Sequence, residues 1–213
     1  MAPEAQSRLY LVVEAGMTPE QIGVVLAAGD VAALLVAPAQ DAALDARNAR
    51  PLVELAQAKG IAALIEADAA LARTLRADGV HLPWDRDIVA RYREAREIIG
   101  GRFIVGADAG RSRDDAMTLG EAGAEYVGFG IPAHVEDRET AGARRLELVA
   151  WWSEIFEIPC VACDVDSAED ANRLARAGAD FVALRLPRAV PPDVLSHWSG
   201  DLARALAVPE ATA

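Results

Sequence analysis

The feature that most constrains this chain is one short phrase written four times: AGDVAALLVAP (28–38), ADGVHLP (77–83), AGAEYVGFGIP (122–132) and AGADFVALRLP (177–187). Each copy has a glycine at which a helix can end in the left-handed conformation, an acidic residue within two positions of it, a short apolar strand and a closing proline. The phrase describes a helix-to-strand joint. Its glycines, Gly29, Gly79, Gly123 and Gly178, lie 50, 44 and 55 residues apart, which leaves room in each interval for one more strand and two helices. Candidates for those strands are RLYLVVE (8–14), GIAALIE (60–66), RFIVGAD (102–108) and IPCVACD (158–164). Eight strands alternating with helices are therefore expected.

Strands that are apolar almost throughout need a parallel sheet covered on both faces. Eight such units close into an α/β (β/α)8 TIM barrel, and 213 residues with 53% hydrophobic content suffice for one as a single domain. The barrel is expected over residues 8–208, with 1–7 and 209–213 as loose tails. An open doubly wound sheet competes, but it would bring a glycine-rich phosphate turn after the first strand, and EAGMTPE (14–20) is not one. Helix starts are legible at TPEQ (18–21), at Ser112 with Asp115 and at Ser167 with Asp170. Residues 40–50 read as a polar, alanine-rich loop, with Pro51 restarting a helix that ends at Gly60. A helix over about 146–156 carries Trp151 and Trp152, which suit packing on the barrel wall. AHVEDRET (133–140) reads as a polar loop long enough to act as a lid, and residues 192–207 as an eighth helix.

A net charge of −12 repels phosphate backbones and anionic lipid heads, so neither nucleic acid nor a membrane surface is an expected partner. No apolar run approaches the roughly 20 residues that span a bilayer, and residues 1–7 lack the pattern of a signal peptide. A cytoplasmic protein with a small-molecule ligand is expected; whether it works as a homodimer is left open. Cys160 and Cys163 have C-x-x-C spacing, but within a strand they point to opposite sides, which suits two small buried residues better than a redox pair.

In an eight-stranded α/β barrel the active site lies at the C-terminal strand ends. All four odd strands end there in an acid, Glu14, Glu66, Asp108 and Asp164, with Asp68 and Asp166 just beyond; the even strands run into prolines. A ring of carboxylates calls for a metal ion, a cationic ligand or arginines, and Arg185 and Arg188 are the nearest basic groups. Taken singly, each acid also reads as a helix cap. His81, inside the fourth strand, suits an acid, a base or a hydrogen-bonded core residue. Trp84 suits stacking on a flat heterocycle or wall packing.

LYLVVE, LIEADAALA (64–72), ADGVHLP, IVGADAG (104–110), AGAEYVGFG, IPCVA (158–162) and AGADFVAL resemble, in order and spacing, the thiamine phosphate synthase family and its relatives the TenI thiazole tautomerases, over residues 8–188. The resemblance implies a (β/α)8 barrel. It also implies the joining of hydroxymethylpyrimidine pyrophosphate to thiazole phosphate, with Mg2+ holding the departing pyrophosphate. Carried over position by position, it makes Glu66, Asp68 and Asp85 (or Asp87) the metal set, and His81, Trp84, Asp108, Gly130, Asp164 and Arg185 the substrate-binding positions, with Trp84 on the pyrimidine and Arg185 or Arg188 on phosphate.

Several positions depart from that pattern. LVAPAQ (35–40) has no base where the family has an arginine and a lysine, the Asn-Asp after the third strand falls on Glu66 and Ala67, and the G-Q-x-D after the fourth falls on Pro83, Trp84, Asp85 and Arg86. No lysine follows the sixth strand, where Arg138 is the nearby base and Ile131 occupies the tautomerase histidine position. The twin glycines whose amides cradle the thiazole phosphate are Asp164 and Val165. A carboxylate about 4 Å from a phosphate costs about 4 kcal/mol per unit charge near a protein surface. The expected protein is thus a synthase-like or TenI-like barrel of thiamine metabolism with altered phosphate sites. The alternatives are a silent ligand- or partner-binding barrel and a different metal-dependent reaction at an acid-lined mouth.

Overall fold

The computed structural model describes residues 7–28, 30–39, 43–165 and 167–186. Eight parallel strands form a closed barrel in sequence order: β1 (Arg8–Glu14), β2 (Val31–Ala37), β3 (Ala62–Glu66), β4 (Gly79–Leu82), β5 (Ile104–Asp108), β6 (Tyr126–Phe129), β7 (Cys160–Ala162) and β8 (Phe181–Arg185). Closure is direct, since β1 pairs with β2 along one edge and with β8 along the other. Seven helices are described: α1 (Pro19–Ala28), α2 (Ala46–Ala58), α3 (Ala69–Leu75), α4 (Ile88–Ile99), α5 (Arg113–Glu121), α6 (Arg138–Ile155) and α7 (Ala168–Arg176). The expected eighth helix, Arg188, Asp166 and the C-terminal tail lie outside the described residues.

Strand parity splits the core in two. Leu9, Leu11 and Val13 of β1 join the outer layer between strands and helices, whereas Tyr10 and Val12 join Leu35, Leu64, Tyr126 and Val161 inside the barrel. The two cysteines obey the same rule: Cys160 packs in the outer layer and Cys163 against the barrel interior. Trp152 is fully buried, with Phe129 at 5.8 Å and Phe156 stacked at 4.0 Å between ring centroids, so the tryptophan-bearing helix does seal the wall.

Four local expectations are corrected. Gly123 (φ 89°) and Gly178 (φ 98°) take the left-handed conformation in their joints, but in the second copy Arg76 does so (φ 57°), and Gly79 instead opens β4. A Cβ on Gly79 would fall 2.1 Å from the Ile104 carbonyl oxygen of the neighbouring strand, so the glycine serves close strand approach. Pro51 does not restart α2 but sits inside it, because Asp45 and Asn48 form a reciprocal capping box one turn earlier. The loop after β6 is shorter than expected, since Asp137 accepts from the Thr140 amide and starts α6 at Arg138. Ser7, assigned to the loose tail, is buried and hydrogen-bonded to the Ala179 carbonyl.

The Asp45 cap gives a simple test. Asp45→Ala removes acceptors for the amides of Arg47 and Asn48, at 2.8 and 2.9 Å, and is expected to lower the unfolding free energy by about 1 kcal/mol in urea denaturation. Equal stability of variant and parent would mean that water replaces the cap.

Candidate active site

The inward-facing residues at the strand ends enclose a cavity of about 610 Å³ at the C-terminal mouth, where Glu66, His81, Trp84, Asp108, Asp164 and Arg185 converge. Three of the four strand-end acids thus share one space. The fourth, Glu14, stands 3.9 Å from Arg185.

The floor is polar but closed. His81 Nδ1 is 2.8 Å from the Tyr126 hydroxyl, which is 2.9 Å from the Tyr10 hydroxyl, and all three side chains are buried. Burial depresses the His81 pKa to about 4, so the imidazole is neutral at physiological pH. Burial also raises the Tyr10 and Tyr126 hydroxyls above the ordinary tyrosine range, which leaves them as hydrogen-bonding groups and not as acids. A Cβ on Gly106 would lie 1.9 Å from Tyr126 Cζ, so that glycine makes the space in which the ring lies. Neither tyrosine was expected in the site, although Tyr10 shares strand parity with Glu14, a signal legible in RLYLVVE.

Above the floor sits a carboxylate pair. Asp108 Oδ1 accepts from the amides of Gly110 at 2.7 Å and Gly130 at 2.9 Å, and Asp164 Oδ2 accepts from the Ile131 amide at 2.8 Å. A Cβ on Gly130 would fall 2.3 Å from Asp108 Oδ2 and 2.7 Å from Asp164 Oδ2, so those two oxygens lie no more than about 5 Å apart. Gly130 therefore supplies space, its amide being committed to Asp108. Burial, then the charge of Asp164, push the Asp108 pKa up to about 6 against the two amide bonds. Burial likewise raises Glu66, opposed by Arg185 and aided by Asp164, and holds the Cys163 thiol well above its ordinary value. Cys163 is half-buried on the cavity wall and protonated, which corrects the expectation of full burial.

Asp164 owes its position to an unusual backbone. Its φ of 55° is left-handed in a non-glycine residue, and Arg145, only 2% exposed, secures the turn by donating to the carbonyls of Cys163 and Asp164. The Arg145 guanidinium also pairs with buried Asp170. No sequence pattern marked Arg145, because it lies mid-helix among other charged residues.

Two members of the expected metal set lie elsewhere. Asp68 caps α3 by accepting from the Leu71 amide at 2.8 Å, because the β3–α3 turn is only two residues long. Asp85 lines an adjoining cavity and pairs with Arg91 at 3.2 Å; Asp87 is exposed at the start of α4. Glu66 lines the mouth, Asp68 caps α3 and Asp85 pairs with Arg91, so the structure does not bring these three carboxylates together around one ion.

The thiamine monophosphate synthase family model matches residues 9–186. The chain belongs to that family. It is 39% identical over 216 residues to a thiamine-phosphate synthase of Hyphomonas neptunium, covering 94% of this chain and 91% of that protein. It is 40% identical over 158 residues to one of Erythrobacter litoralis, covering 73% and 68%. Among solved structures, a Pyrococcus furiosus thiamine phosphate pyrophosphorylase superposes with a TM-score of 0.72 at 20% identity, over 95% of this chain and 96% of that one. A Mycobacterium tuberculosis tryptophan synthase chain superposes equally well, with a TM-score of 0.72 at 18% identity over 96% and 94%; at such identities the likeness speaks for the barrel alone. No helix among the described residues is long and apolar enough to cross a membrane.

Proposed function

We propose that this member of the thiamine monophosphate synthase family acts in thiamine metabolism by binding a heterocycle of that pathway at its barrel mouth, and that the family condensation is disfavoured there. The observation that carries this reading is Asp164. Where the family resemblance puts an amide cradle for phosphate, this chain aims a carboxylate into a cavity that already holds Asp108 and Glu66. Three acids complement an amino group or a protonated ring nitrogen, and oppose an anion. Trp84 offers a flat apolar face, and neutral His81 offers its second ring nitrogen from the floor. Asp68 and Asp85 are engaged away from the mouth, so of the three expected magnesium ligands only Glu66 faces the cavity.

The test is to mix the purified protein with hydroxymethylpyrimidine pyrophosphate, thiazole phosphate and magnesium, and to follow thiamine phosphate by chromatography beside calorimetry of each unphosphorylated heterocycle. Heterocycle binding without product is expected; sustained turnover would sink the reading. A second reading is the family condensation itself. Two guanidinium groups, Arg138 and Arg185, line the cavity, and relatives 37 to 40% identical bear the name thiamine-phosphate synthase. Turnover abolished by Arg138→Ala or Arg185→Ala would favour it.

A further inference from the structure

The floor of the mouth holds three hydrogens for two hydrogen bonds. Tyr10 and Tyr126 each carry one on the hydroxyl, and His81, kept neutral by burial, carries one on either ring nitrogen. The Tyr126 hydroxyl stands between the Tyr10 hydroxyl at 2.9 Å and His81 Nδ1 at 2.8 Å, and it can donate to one of them at a time. Two arrangements make both bonds. In the first, Nδ1–H donates to Tyr126, Tyr126 donates to Tyr10, and the spare hydrogen belongs to Tyr10, which is 2% exposed and has no other acceptor among the described residues. In the second, Tyr10 donates to Tyr126, Tyr126 donates to Nδ1, and the spare hydrogen sits on His81 Nε2.

The surroundings of Nε2 favour the second arrangement. This nitrogen has no partner among the described residues, although His81 is 5% exposed. Arg145 Nε is the one side-chain polar atom among those residues that is both sealed from solvent and unpaired, so Nε2 opens onto the mouth that His81 lines. Glu66, Asp108 and Asp164 border the same space, and Glu66 is the partner of His81 in the β3–β4 register. Carboxylates repel a nitrogen lone pair and attract an N–H.

We propose that Tyr10 and Tyr126 lock His81 in its Nε2–H tautomer and so make it the specificity-determining hydrogen-bond donor of the mouth, selecting a ligand whose ring presents an uncharged acceptor to the floor. Tyr126 is a positioning residue acting through Nδ1, and Tyr10 acts through Tyr126. An amino group or a protonated ring nitrogen meets the acids but is turned away from His81, so the floor orients the ring. The donor role rests on the heterocycle binding proposed above; the tautomer does not.

The full chain is labelled with nitrogen-15 histidine, and the ring nitrogens are read by long-range proton–nitrogen NMR at pH 8 without ligand. Resonances lost in His81→Gln identify His81 among the three histidines. A protonated Nε2 and a bare Nδ1 are expected, with the Nδ1 resonance moving in Tyr126→Phe as its hydrogen bond is lost. A protonated Nδ1, or an Nδ1 resonance indifferent to Tyr126→Phe, overturns the lock. Calorimetry then compares unphosphorylated hydroxymethylpyrimidine with its benzene counterpart, in which CH replaces both ring nitrogens. The parent should prefer the pyrimidine by about tenfold, the worth of one hydrogen bond. His81→Gln, whose amide N–H can take the place of Nε2–H, should keep that preference, and His81→Asn, whose shorter amide reaches the Nδ1 position, should lose it. Melting temperatures confirm that the variants are folded, and Tyr126→Phe, which removes one oxygen, should reduce the preference about threefold should His81→Asn fail to fold. A preference that survives both His81→Asn and Tyr126→Phe overturns the donor role while leaving heterocycle binding intact. Absence of binding by the parent sinks heterocycle binding and the donor role together, and the nitrogen resonances then decide the lock alone.

Discussion

Arg145→Ala is expected to lower the unfolding free energy by about 3–5 kcal/mol, the usual result of deleting one partner of a buried ion pair. Three consequences combine at this position. Asp170, only 7% exposed, would keep Arg173, at 3.3 Å on the surface side, as its one ionic partner among the described residues. The carbonyls of Cys163 and Asp164 would lose their guanidinium donor. The left-handed turn at Asp164 would lose the contact that holds it, so the carboxylate pair at the mouth would separate. Guanidinium denaturation of Arg145→Met, Asp170→Leu and the Arg145→Met/Asp170→Leu double variant measures the coupling, and the double variant should be less damaged than the sum of the singles. A cost below about 1 kcal/mol for Arg145→Ala would mean that water replaces the pair, and the account of the turn would fail.

Two buried groups are expected to give opposing acid responses of about 3 kcal/mol each, at 1.36 kcal/mol per unit of pKa shift. Asp108 has its folded pKa raised to about 6, so its contribution is fully present below the ordinary aspartate value of 3.8 and is lost as pH rises through 6. His81 has its folded pKa depressed to about 4, so its contribution is present above 6.5 and is lost as pH falls through 4. Between about pH 4 and 6 the two slopes nearly cancel, and the parent protein should show a flat stability profile there. Asp108→Asn keeps the shape of the side chain and an acceptor for the Gly110 and Gly130 amides. It should be more stable than the parent at pH 8 and lose stability steeply on acidification. His81→Asn should instead gain stability as pH falls from 6 to 4. Parallel profiles for parent and both variants would show that neither group is desolvated as its surroundings imply.

Much of the barrel could be read from the chain because its signals are local. β1 coincides with the expected RLYLVVE segment, and the capping residues Thr18, Ser112 and Ser167 each bond within their own helix start. The errors arose where two local signals competed. Proline at position 51 is a conspicuous helix-start signal inside a helix that the Asp45 capping box has already begun, and polar residues 137–140 disguise the first turn of α6. Strand parity correctly sent His81, Asp108 and Glu66 inward, since a two-residue period fixes the facing of every side chain once the strand is known. It could not place Asp68 and Asp85, which lie past the strand ends, where turn length and neighbouring donors decide direction.

By itself the sequence determined eight strands, their inward and outward faces and an acidic mouth, because periodicity, caps and strand-end residues act over a few positions. Only the tertiary structure decided that Asp164 meets Asp108 across Gly130 and that Tyr10, Tyr126 and His81 form one hydrogen-bonded floor. Those groups stand 45 to 116 residues apart in the chain, and only closure of the barrel sets their spacing.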